Sequence, residues 1–252
     1  MNLHQEGKKT YFVSDVHLGA PALKDNRERE VLFVKWLREV GRDAEAIYLM
    51  GDIFDYWFEY RTVVPRGFTR VLGSIAALTD QGIPVHFFTG NHDIWVFDYL
   101  PAETGIILHK EPFITTIGEH RFFLAHGDGL DARDKGYLLL KRIFTSRTLQ
   151  WFYARVHPDL TIRLAHRWSK NSRLSKNTGG PEFMGEKEGI YKFALSVLKK
   201  EAIDFFIFGH RHRLADMVIH GESRLILLGE WINAFSYGVY DGRRFELKKY
   251  VP

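Results

Sequence analysis

The sequence predicts an α/β protein in which short buried strands alternate with helices. Five apolar runs have the length of buried strands, and apolar residues recur at helical spacing between them. The runs cover residues 11–14, 46–50, 85–89, 122–125 and 205–208. The chain of 252 residues has no internal repeat or low-complexity linker, so we expect a single domain over residues 1–252.

Three helices are predicted between the runs. The first covers residues 27–40, and the other two are indicated by apolar residues at helical spacing: Phe68, Val71, Leu72 and Ile75, then Ile190, Phe193, Ala194, Val197 and Leu198. After the last run, residues 224–228, 237–241 and 245–250 are expected to be strands, with a turn at Asp241-Gly242. The chain is therefore expected to end in a β-meander.

Each of the five apolar runs is followed by a polar group. In chain order these groups are Asp15-Val16-His17, Gly51-Asp52, Gly90-Asn91-His92-Asp93, His126-Gly127-Asp128 and Gly209-His210-Arg211-His212. Because the carboxyl ends of the strands in an open α/β sheet lie beside one crevice, side chains far apart in the sequence can converge there. The sequence therefore predicts one functional site at the strand ends.

The groups at the strand ends contain oxygen and imidazole ligands but no thiolate. The seven candidate ligands are Asp15, His17, Asp52, Asn91, His126, His210 and His212. This set suits divalent ions such as Mn²⁺, Fe²⁺ or Zn²⁺. Seven ligands are too many for one tetrahedral ion but suit two ions about 3.5–4 Å apart, which lower the pKa of bound water and neutralise phosphate oxygens. A two-metal site for phosphoryl chemistry is the resulting prediction.

A single histidine beside a strand is more often structural than a ligand, so the prediction depends on the complete set. The remaining histidines that we consider structural are His4, His86, His109, His120, His157, His166 and His220. His92 follows the Asn91 candidate ligand and is free to donate a proton or hydrogen bond to a leaving oxygen. The alternative for His92 is an orienting role together with Asp93.

The order of these groups resembles the calcineurin-like metallophosphoesterases, whose motifs run Asp-x-His, Gly-Asp, Gly-Asn-His-Asp or Glu, His before Gly, and Gly-His-x-His. The resemblance implies a two-sheet β-sandwich flanked by helices. It also implies one ion held by Asp15, His17, Asp52 and His212, and a second held by Asp52, Asn91, His126 and His210. Asp52 would bridge the two ions, and Asp52, Asn91 and His92 would be the catalytic residues.

Residues 133–176 form a basic and apolar insertion. They contain eleven basic and two acidic residues, a net charge of +9, whereas the whole chain has +4 and the remainder therefore −5. Leucine, isoleucine, phenylalanine and tryptophan residues interleave with the cations, as in amphipathic helices. Such helices could cover an acyl chain, lie on anionic lipid or bind a protein. The alternative is a helical hairpin packed on the core with solvated charges.

A closer resemblance is to the bacterial UDP-2,3-diacylglucosamine diphosphatases of lipid A biosynthesis. It is carried by residues 51–57, by residues 126–137 and by the serine, lysine and asparagine residues over 169–176. It implies that the insertion is a lid that holds two acyl chains. It also implies that two metal ions support cleavage of the diphosphate to UMP and 2,3-diacylglucosamine 1-phosphate. The expected metal is Mn²⁺, with Fe²⁺ or Zn²⁺ as alternatives. The residues expected to contact substrate are His92, Asp134, Tyr137, Asn171, Ser172 and Lys176.

One position departs from that lipid family, which has arginine where this chain has His92. An imidazole can donate a proton near neutral pH and a guanidinium cannot, so leaving-group chemistry could differ. Hydrolysis of another phosphodiester or nucleotide is therefore the alternative function. The aromatic residues after Asp52 admit three roles, stacking on a base, lining an acyl groove or packing in the core; they are Phe54, Tyr56, Trp57, Phe58 and Tyr60.

Composition bears on the compartment in which the protein works, and the residue pattern bears on two alternative functions, nucleic-acid binding and protein binding. There is no cysteine, the first ten residues are polar and no apolar stretch approaches ~20 residues, so we expect a cytoplasmic protein. The resemblance to the lipid A enzymes implies a peripheral position on the cytoplasmic face of the inner membrane. Aliphatic residues between the cations disfavour nucleic acid as the partner. A protein-binding scaffold of the same fold is the non-enzyme alternative, disfavoured because all seven candidate ligands are intact.

Overall fold

The computed structural model describes residues 7–176 and 185–251, and for residues 170–176 it describes the backbone alone. The strands are β1 (Lys9–Val13), β2 (Ala44–Leu49), β3 (Val85–Phe88), β4 (Ile107–His109), β5 (Phe113–Ile117), β6 (His120–Leu124), β7 (Phe205–Phe208), β8 (Leu214–His220), β9 (Ser223–Leu228), β10 (Ser236–Tyr240) and β11 (Phe245–Lys249). The helices are α1 (Asn26–Val40), α2 (Thr69–Asp80), α3 (Tyr99–Thr104), α4 (Lys135–Thr145), α5 (Arg147–Tyr153), α6 (Pro158–Lys176) and α7 (Gly189–Leu198).

The strands form two sheets that pack face to face. The first has the order β11-β10-β1-β2-β3-β4 and the second the order β5-β6-β7-β9-β8. Strands β1 to β4 are parallel, as are β6, β7 and β9, and antiparallel strands complete the edges. This architecture confirms the expected β-sandwich flanked by helices.

Aromatic rings fill the space between the sheets. Phe12 of β1 stacks on Tyr48 of β2 and on Phe122 of β6, with ring centroids 5.0 and 5.9 Å apart. All three side chains are buried, and burying a phenylalanine stabilises a fold by about 1.5–3 kcal/mol. These contacts join the two sheets, so that the strand ends of both lie beside each other.

Helices cover the outer faces of the sandwich. Phe33, Trp36 and Leu37 of α1 are buried on the first sheet together with residues of α2. Ile190 and Ala194 of α7 are buried on the second sheet. The apolar periodicity seen in the sequence is therefore the periodicity of the faces that cover the sheets.

All eight predicted strands are present, as are the three predicted helices, within two residues of the expected bounds where these were given. The expected β-meander is wrong, because β9 lies in the second sheet and β10 in the first. The turn at Asp241 does join β10 and β11: its carboxylate accepts hydrogen bonds from the backbone N–H groups of Arg243 and Arg244. Strands β4, β5 and β8 and helix α3 were not predicted, because they are short or lie at sheet edges with alternating polar residues.

Helices α4, α5 and α6 form the insertion between β6 and α7, and aromatic residues of the core contact it. The Tyr56 and Tyr153 hydroxyls lie 3.1 Å apart, and the Phe58 and Tyr153 ring centroids 4.8 Å apart. Trp95 donates a hydrogen bond of 2.9 Å from its indole nitrogen to the Phe144 carbonyl. Of the rings that follow Asp52, those of Tyr56 and Phe58 are buried in these contacts, which fits the core-packing alternative.

Candidate metal centre

The polar groups that follow the strands meet at one end of the sandwich. Asp15 and His17 follow β1, Asp52 follows β2, and His126 follows β6. Backbone hydrogen bonds tie the loops together: Asp15 N–H donates to the Gly51 carbonyl, and His17 N–H donates to the Asp52 carbonyl. Two sheets, rather than the single open sheet assumed above, therefore supply the site.

Left-handed backbone conformation is shared by five of the seven candidate ligands: Asp15 (φ 56°), His17 (φ 49°), Asp52 (φ 54°), His210 (φ 64°) and His212 (φ 50°). Non-glycine residues seldom adopt positive φ, and such conformations concentrate at functional sites. The surrounding fold must hold these residues in place, since the local sequence alone would favour other conformations. The sequence pattern carried no signal of this feature.

Two glycines allow the loops to approach one another. Gly51 has φ 91°, and a Cβ atom added to it would lie within 2.9 Å of the His126 ring and the Gly90 nitrogen. A Cβ atom on Gly90 would collide with the Asp52 carboxylate. Glycine is thus required by close packing at both positions.

The first group of side chains contains Asp15, His17 and His212. The Nε2 atoms of His17 and His212 lie 3.2 Å apart, and Asp15 Oδ1 lies 3.1 Å from His212 Nε2 and 3.8 Å from His17 Nε2. Asp15 and His17 are fully buried, whereas His212 is partly exposed. Three potential ligand atoms therefore point at one small volume.

The second group contains Asp52, His126 and His210. Asp52 Oδ2 lies 3.4 Å from His126 Nε2, and one ligand atom from each residue of this group lies within 4.8 Å of the others. The His126 ring is held from its other nitrogen, since Nδ1 donates a 2.8 Å hydrogen bond to the Met50 carbonyl. That bond leaves Nε2 directed into the site, where it can ligate a metal once its proton has been displaced.

Several buried polar atoms in the site have no hydrogen-bond partner among the residues that the structure describes. They are Asp15 Oδ1, His17 Nδ1, Asn91 Oδ1 and His126 Nε2. Buried polar atoms are almost always satisfied, so a concentration of unsatisfied polar atoms needs an explanation. Divalent cations fit this donor set of carboxylate, amide oxygen and imidazole nitrogen.

The charges of the site depress the pKa values of its carboxylates. Burial alone would raise the pKa of Asp52, but the adjacent His126 and the neighbouring His92 and His17 lower it well below its usual range. Burial also opposes the lowering at Asp15, where His212 and His17 outweigh it. Both carboxylates are consequently anionic at neutral pH, as metal binding requires.

The histidines of the site differ in charge when no metal is present. Burial would lower the pKa of His126, but Asp52, Asp15 and Asp128 raise it to about 10. Burial together with the charge on His126 lowers the pKa of His210 to about 4. Burial likewise lowers the pKa of His17. At neutral pH, His126 therefore carries a proton that a metal would displace, whereas His210 and His17 are neutral.

His92 is oriented by the backbone of Asp55. Its Nδ1 lies 2.9 Å from the Asp55 carbonyl and 3.7 Å from Asp55 Oδ1. Asp93 instead accepts hydrogen bonds from the backbone N–H groups of Gly90 at 2.7 Å and Ile53 at 2.8 Å, tying two loops together. Burial and the nearby Asp52 carboxylate raise the pKa of Asp93 to about 7. The proposed pairing of His92 with Asp93 is therefore replaced by contact with Asp55.

The residues expected to contact substrate are placed only in part. The Asp134 carboxylate caps helix α4 by accepting a 2.9 Å hydrogen bond from Tyr137 N–H. The Tyr137 hydroxyl donates at 2.7 Å to Asp128, which also lies 2.7 Å from the Lys141 ammonium. Three other expected contacts lie on helix α6, but their side chains are outside the described part of the chain: Asn171, Ser172 and Lys176.

Asp55, Asp128 and Ser169 have structural contacts beside the site that sequence reasoning missed. Asp128 and Asp55 follow His126 and Asp52 by two and three positions, which was the available signal. Ser169 is 114 positions from Asp55 and nevertheless donates it a 2.7 Å hydrogen bond. No spacing rule connects residues so far apart.

Comparisons with known proteins identify the family of this chain. A family model described as calcineurin-like phosphoesterase matches residues 8–214. A protein from Porphyromonas gingivalis named UDP-2,3-diacylglucosamine hydrolase is 42% identical over 95% of this chain and 97% of its own length. A protein of the same name from Haemophilus influenzae is 27% identical over 89% of this chain and 91% of its own.

Among solved structures, a dimetal phosphatase from Danio rerio aligns with 98% of this chain and 100% of its own, at 14% identity and a TM-score of 0.49. The family model covers most of the chain, and the Porphyromonas gingivalis relative is similar along almost its entire length. The chain therefore belongs to the calcineurin-like phosphoesterase family, whose members use a dinuclear metal centre.

Proposed function

We propose that this protein is a two-metal hydrolase that cleaves the diphosphate of UDP-2,3-diacylglucosamine to UMP and 2,3-diacylglucosamine 1-phosphate. The observation that carries the proposal is that Asp52 Oδ2 lies between two groups of carboxylate and histidine side chains, 3.7 Å from His17 Nε2 in one and 3.4 Å from His126 Nε2 in the other. The chain is also 42% identical to a protein named UDP-2,3-diacylglucosamine hydrolase. Asp15, His17, Asp52 and His212 would hold one metal ion. Asp52, Asn91, His126 and His210 would hold the other.

When bound, the two ions supply an activated water and neutralise phosphate oxygens. The water oxygen forms a bond to one phosphorus of the diphosphate, and the bond from that phosphorus to the bridging oxygen breaks. The departing phosphate gains negative charge at the bridging oxygen. We expect Mn²⁺ to be the ion, with Fe²⁺ or Zn²⁺ as alternatives, since these three suit the donor set.

His92 is the candidate group for stabilising the departing phosphate. Its Nδ1 donates a hydrogen bond to the Asp55 carbonyl, so Nε2 donates a proton or hydrogen bond to substrate when the ring is an imidazolium. The side chain is partly exposed, which gives a substrate oxygen access to it. A proton or hydrogen-bond donor at this position stabilises the transition state, in which negative charge develops on the departing oxygen.

The insertion is the candidate lid for the acylated half of the substrate. Its outward surface exposes large apolar side chains, including Trp151 at 52%, Phe152 at 59% and Trp168 at 56%. Arg147, Arg155 and other basic residues lie among them. A basic and aromatic helical surface binds acyl chains and anionic lipid, which supports peripheral contact with the cytoplasmic face of the inner membrane. Within the described ranges, no helix is long and apolar enough to cross a bilayer.

A cavity of about 200 Å³ beside His126 is the candidate place for the nucleoside half. Its lining includes Thr89, His109, Lys110, Gly127 and Lys141. Pockets for drug-sized ligands usually measure about 300–1,000 Å³, so this one suits a nucleoside-sized group and is too small for two acyl chains. The nucleoside and the lipid would thus lie on different sides of the metal centre.

Asp134, Tyr137, Asn171, Ser172 and Lys176 remain proposed substrate contacts. Tyr137 is the one best supported, because it bonds Asp128, the second residue after the candidate ligand His126. Hydrolysis of another phosphodiester is the second candidate function. It is favoured by His92, which occupies the position where the resembled lipid family has arginine.

The proposal is tested by following UMP release from UDP-2,3-diacylglucosamine in detergent micelles with Mn²⁺, with UDP-glucose and bis-p-nitrophenyl phosphate in parallel. Release of UMP from the lipid substrate in clear preference to UDP-glucose supports it. Cleavage of bis-p-nitrophenyl phosphate alone would retain the two-metal reaction and reject the lipid substrate.

A further inference from the structure

Helix α6 of the insertion contacts the core beside the candidate metal centre. The Ser169 hydroxyl donates a hydrogen bond of 2.7 Å to Asp55 Oδ2, and both side chains are buried. The other oxygen of the same carboxylate, Oδ1, lies 3.3 Å from Nδ1 of His17. A single carboxylate therefore contacts both a helix of the insertion and a candidate metal ligand.

Asp55 meets His17 on the side of the ring opposite to the candidate metal ligands. Nε2 of His17 faces His212 at 3.2 Å, whereas Nδ1 faces Asp55. A carboxylate beside the second nitrogen of a ligating histidine favours the tautomer with the proton on that nitrogen and orients the ring. Asp55, His17 and His92 are close enough to form a metal site by themselves. Because Asp55 contacts Nδ1 of His17, Nε2 stays directed to the group with Asp15 and His212.

We propose that Ser169 is a positioning residue that couples the seating of the insertion to the metal centre. When α6 is seated, the Ser169 hydroxyl holds Asp55, and Asp55 holds the His17 ring. When α6 is displaced, the carboxylate loses this donor and His17 is held less firmly. The inference rests on the proposed two-metal chemistry but not on the identity of the lipid substrate.

A second contact of α6 provides a matched control. Thr161 is buried on the same helix, and its hydroxyl is hydrogen-bonded to the Tyr60 hydroxyl. Tyr60 packs on Phe58, with ring centroids 4.7 Å apart, in the aromatic layer below the insertion. Thr161→Val and Ser169→Ala therefore each remove one hydroxyl that joins α6 to the core, but only Ser169 bonds the carboxylate beside His17.

The experiment measures Mn²⁺ binding to the metal-free full-length protein by calorimetry and kcat for bis-p-nitrophenyl phosphate, which has no acyl chain to bind a lid. We expect Ser169→Ala to weaken one of two Mn²⁺ sites by up to ~10-fold and to lower kcat for this diester, because contacts behind a ligand typically contribute roughly 10–100-fold. Thr161→Val should leave both quantities unchanged. Ser169→Thr, which retains the hydroxyl, should restore both.

Wild-type Mn²⁺ affinity and diester turnover in Ser169→Ala would overturn the proposal. Equal losses in Ser169→Ala and Thr161→Val would also overturn it, because they would indicate a general effect of loosening α6. Thermal unfolding of each variant identifies any that is misfolded. If Ser169→Ala is misfolded, the proposal is tested by Ser169→Thr, whose Mn²⁺ affinity and kcat should equal those of wild type. If the lipid is not cleaved but Ser169→Ala still weakens Mn²⁺ binding, the coupling stands and the substrate assignment fails.

Discussion

The Asp52 carboxylate lies between His17 and His126, with Oδ2 3.7 Å from Nε2 of the first and 3.4 Å from Nε2 of the second. These histidines belong to different sheets of the sandwich and to different groups of candidate ligands. A carboxylate shared in this way is the expected bridge between two ions. The backbone of Asp52 is held in place by Asp93, whose Oδ1 accepts its N–H at 3.2 Å.

Replacing Asp52 with asparagine should abolish turnover and weaken metal binding. The substitution removes the negative charge shared by the two groups while keeping the shape of the side chain. We expect metal content after gel filtration to fall below two ions per chain and kcat to fall by at least ~10³-fold. Retention of both ions and of a wild-type rate would show that Asp52 is not the bridge.

Mn²⁺ binding to the metal-free protein should release close to one proton at pH 7. The pKa of His126 is raised to about 10, so its proton must leave, whereas His210, with a pKa of about 4, is already neutral. The apparent affinity should therefore rise as pH increases from 7 towards 9. Calorimetry in buffers of different ionisation enthalpy measures the released proton, and a pH-independent affinity would contradict the prediction.

The interaction of protonated His126 with the Asp52 carboxylate gives the metal-free protein a pH-dependent stability. Because the folded pKa of His126 is raised above the unfolded value of about 6.5, its contribution is fully present below that value and is lost as pH rises through about 10. Asp52→Asn should reduce this dependence. Chemical unfolding of metal-free wild type and variant at pH 6 and pH 10 compares the two slopes.

His92→Ala should lower kcat with little effect on metal content. His92 donates its backbone N–H to Asp52 Oδ1 at 2.8 Å, a contact that alanine keeps, while the imidazole is lost. Removal of a general acid commonly reduces rate by 10²–10⁴-fold, so we expect kcat for UMP release to fall by about that range. A His92→Arg variant with full activity would show that proton donation is not required and that hydrogen bonding suffices.

Glu59→Ala should destabilise the fold without direct loss of a site residue. The buried Glu59 carboxylate accepts hydrogen bonds from the backbone N–H groups of Phe97, Asp98 and Tyr99 at 2.7, 2.8 and 3.1 Å. Phe97 and Asp98 precede helix α3, and Tyr99 is its first residue. Loss of a buried charged acceptor leaves these donors unpaired, and we expect a decrease in unfolding free energy of about 3 kcal/mol. A denaturant midpoint equal to that of wild type would contradict this role.

Replacing Trp151 and Phe152 with serine should weaken binding to anionic vesicles. Both side chains are mostly exposed, and their contribution to the core is therefore small. Vesicle sedimentation should show reduced binding, whereas kcat for bis-p-nitrophenyl phosphate should remain at the wild-type level. Unchanged binding would place the membrane contact elsewhere.

Much of the site could be predicted from sequence because its residues follow predictable strands. Buried strands such as β7 are continuous apolar runs, and the residues that follow them are the ones exposed at the sheet edge. The division of those strands between two sheets could not be read from periodicity, since a buried strand looks the same in either sheet. The meander prediction failed at β9 and β10 for that reason.

Contacts between distant residues remained invisible to sequence reasoning. The Ser169 and Asp55 hydrogen bond depends on how α6 crosses the loop after β2, which is a tertiary outcome. The left-handed backbone of Asp15 and His17 likewise follows from loop pairing, such as the hydrogen bond from His17 N–H to the Asp52 carbonyl. Local sequence preferences favour other conformations for these residues.

The most direct test of the two-metal lipid hydrolase is UMP release from UDP-2,3-diacylglucosamine as metal-free protein is titrated with Mn²⁺, for wild type and Asp52→Asn. We expect wild-type activity to rise until two ions are bound per chain, and the variant to stay inactive throughout. Full activity with one ion, or equal activity in Asp52→Asn, would contradict the shared two-metal centre.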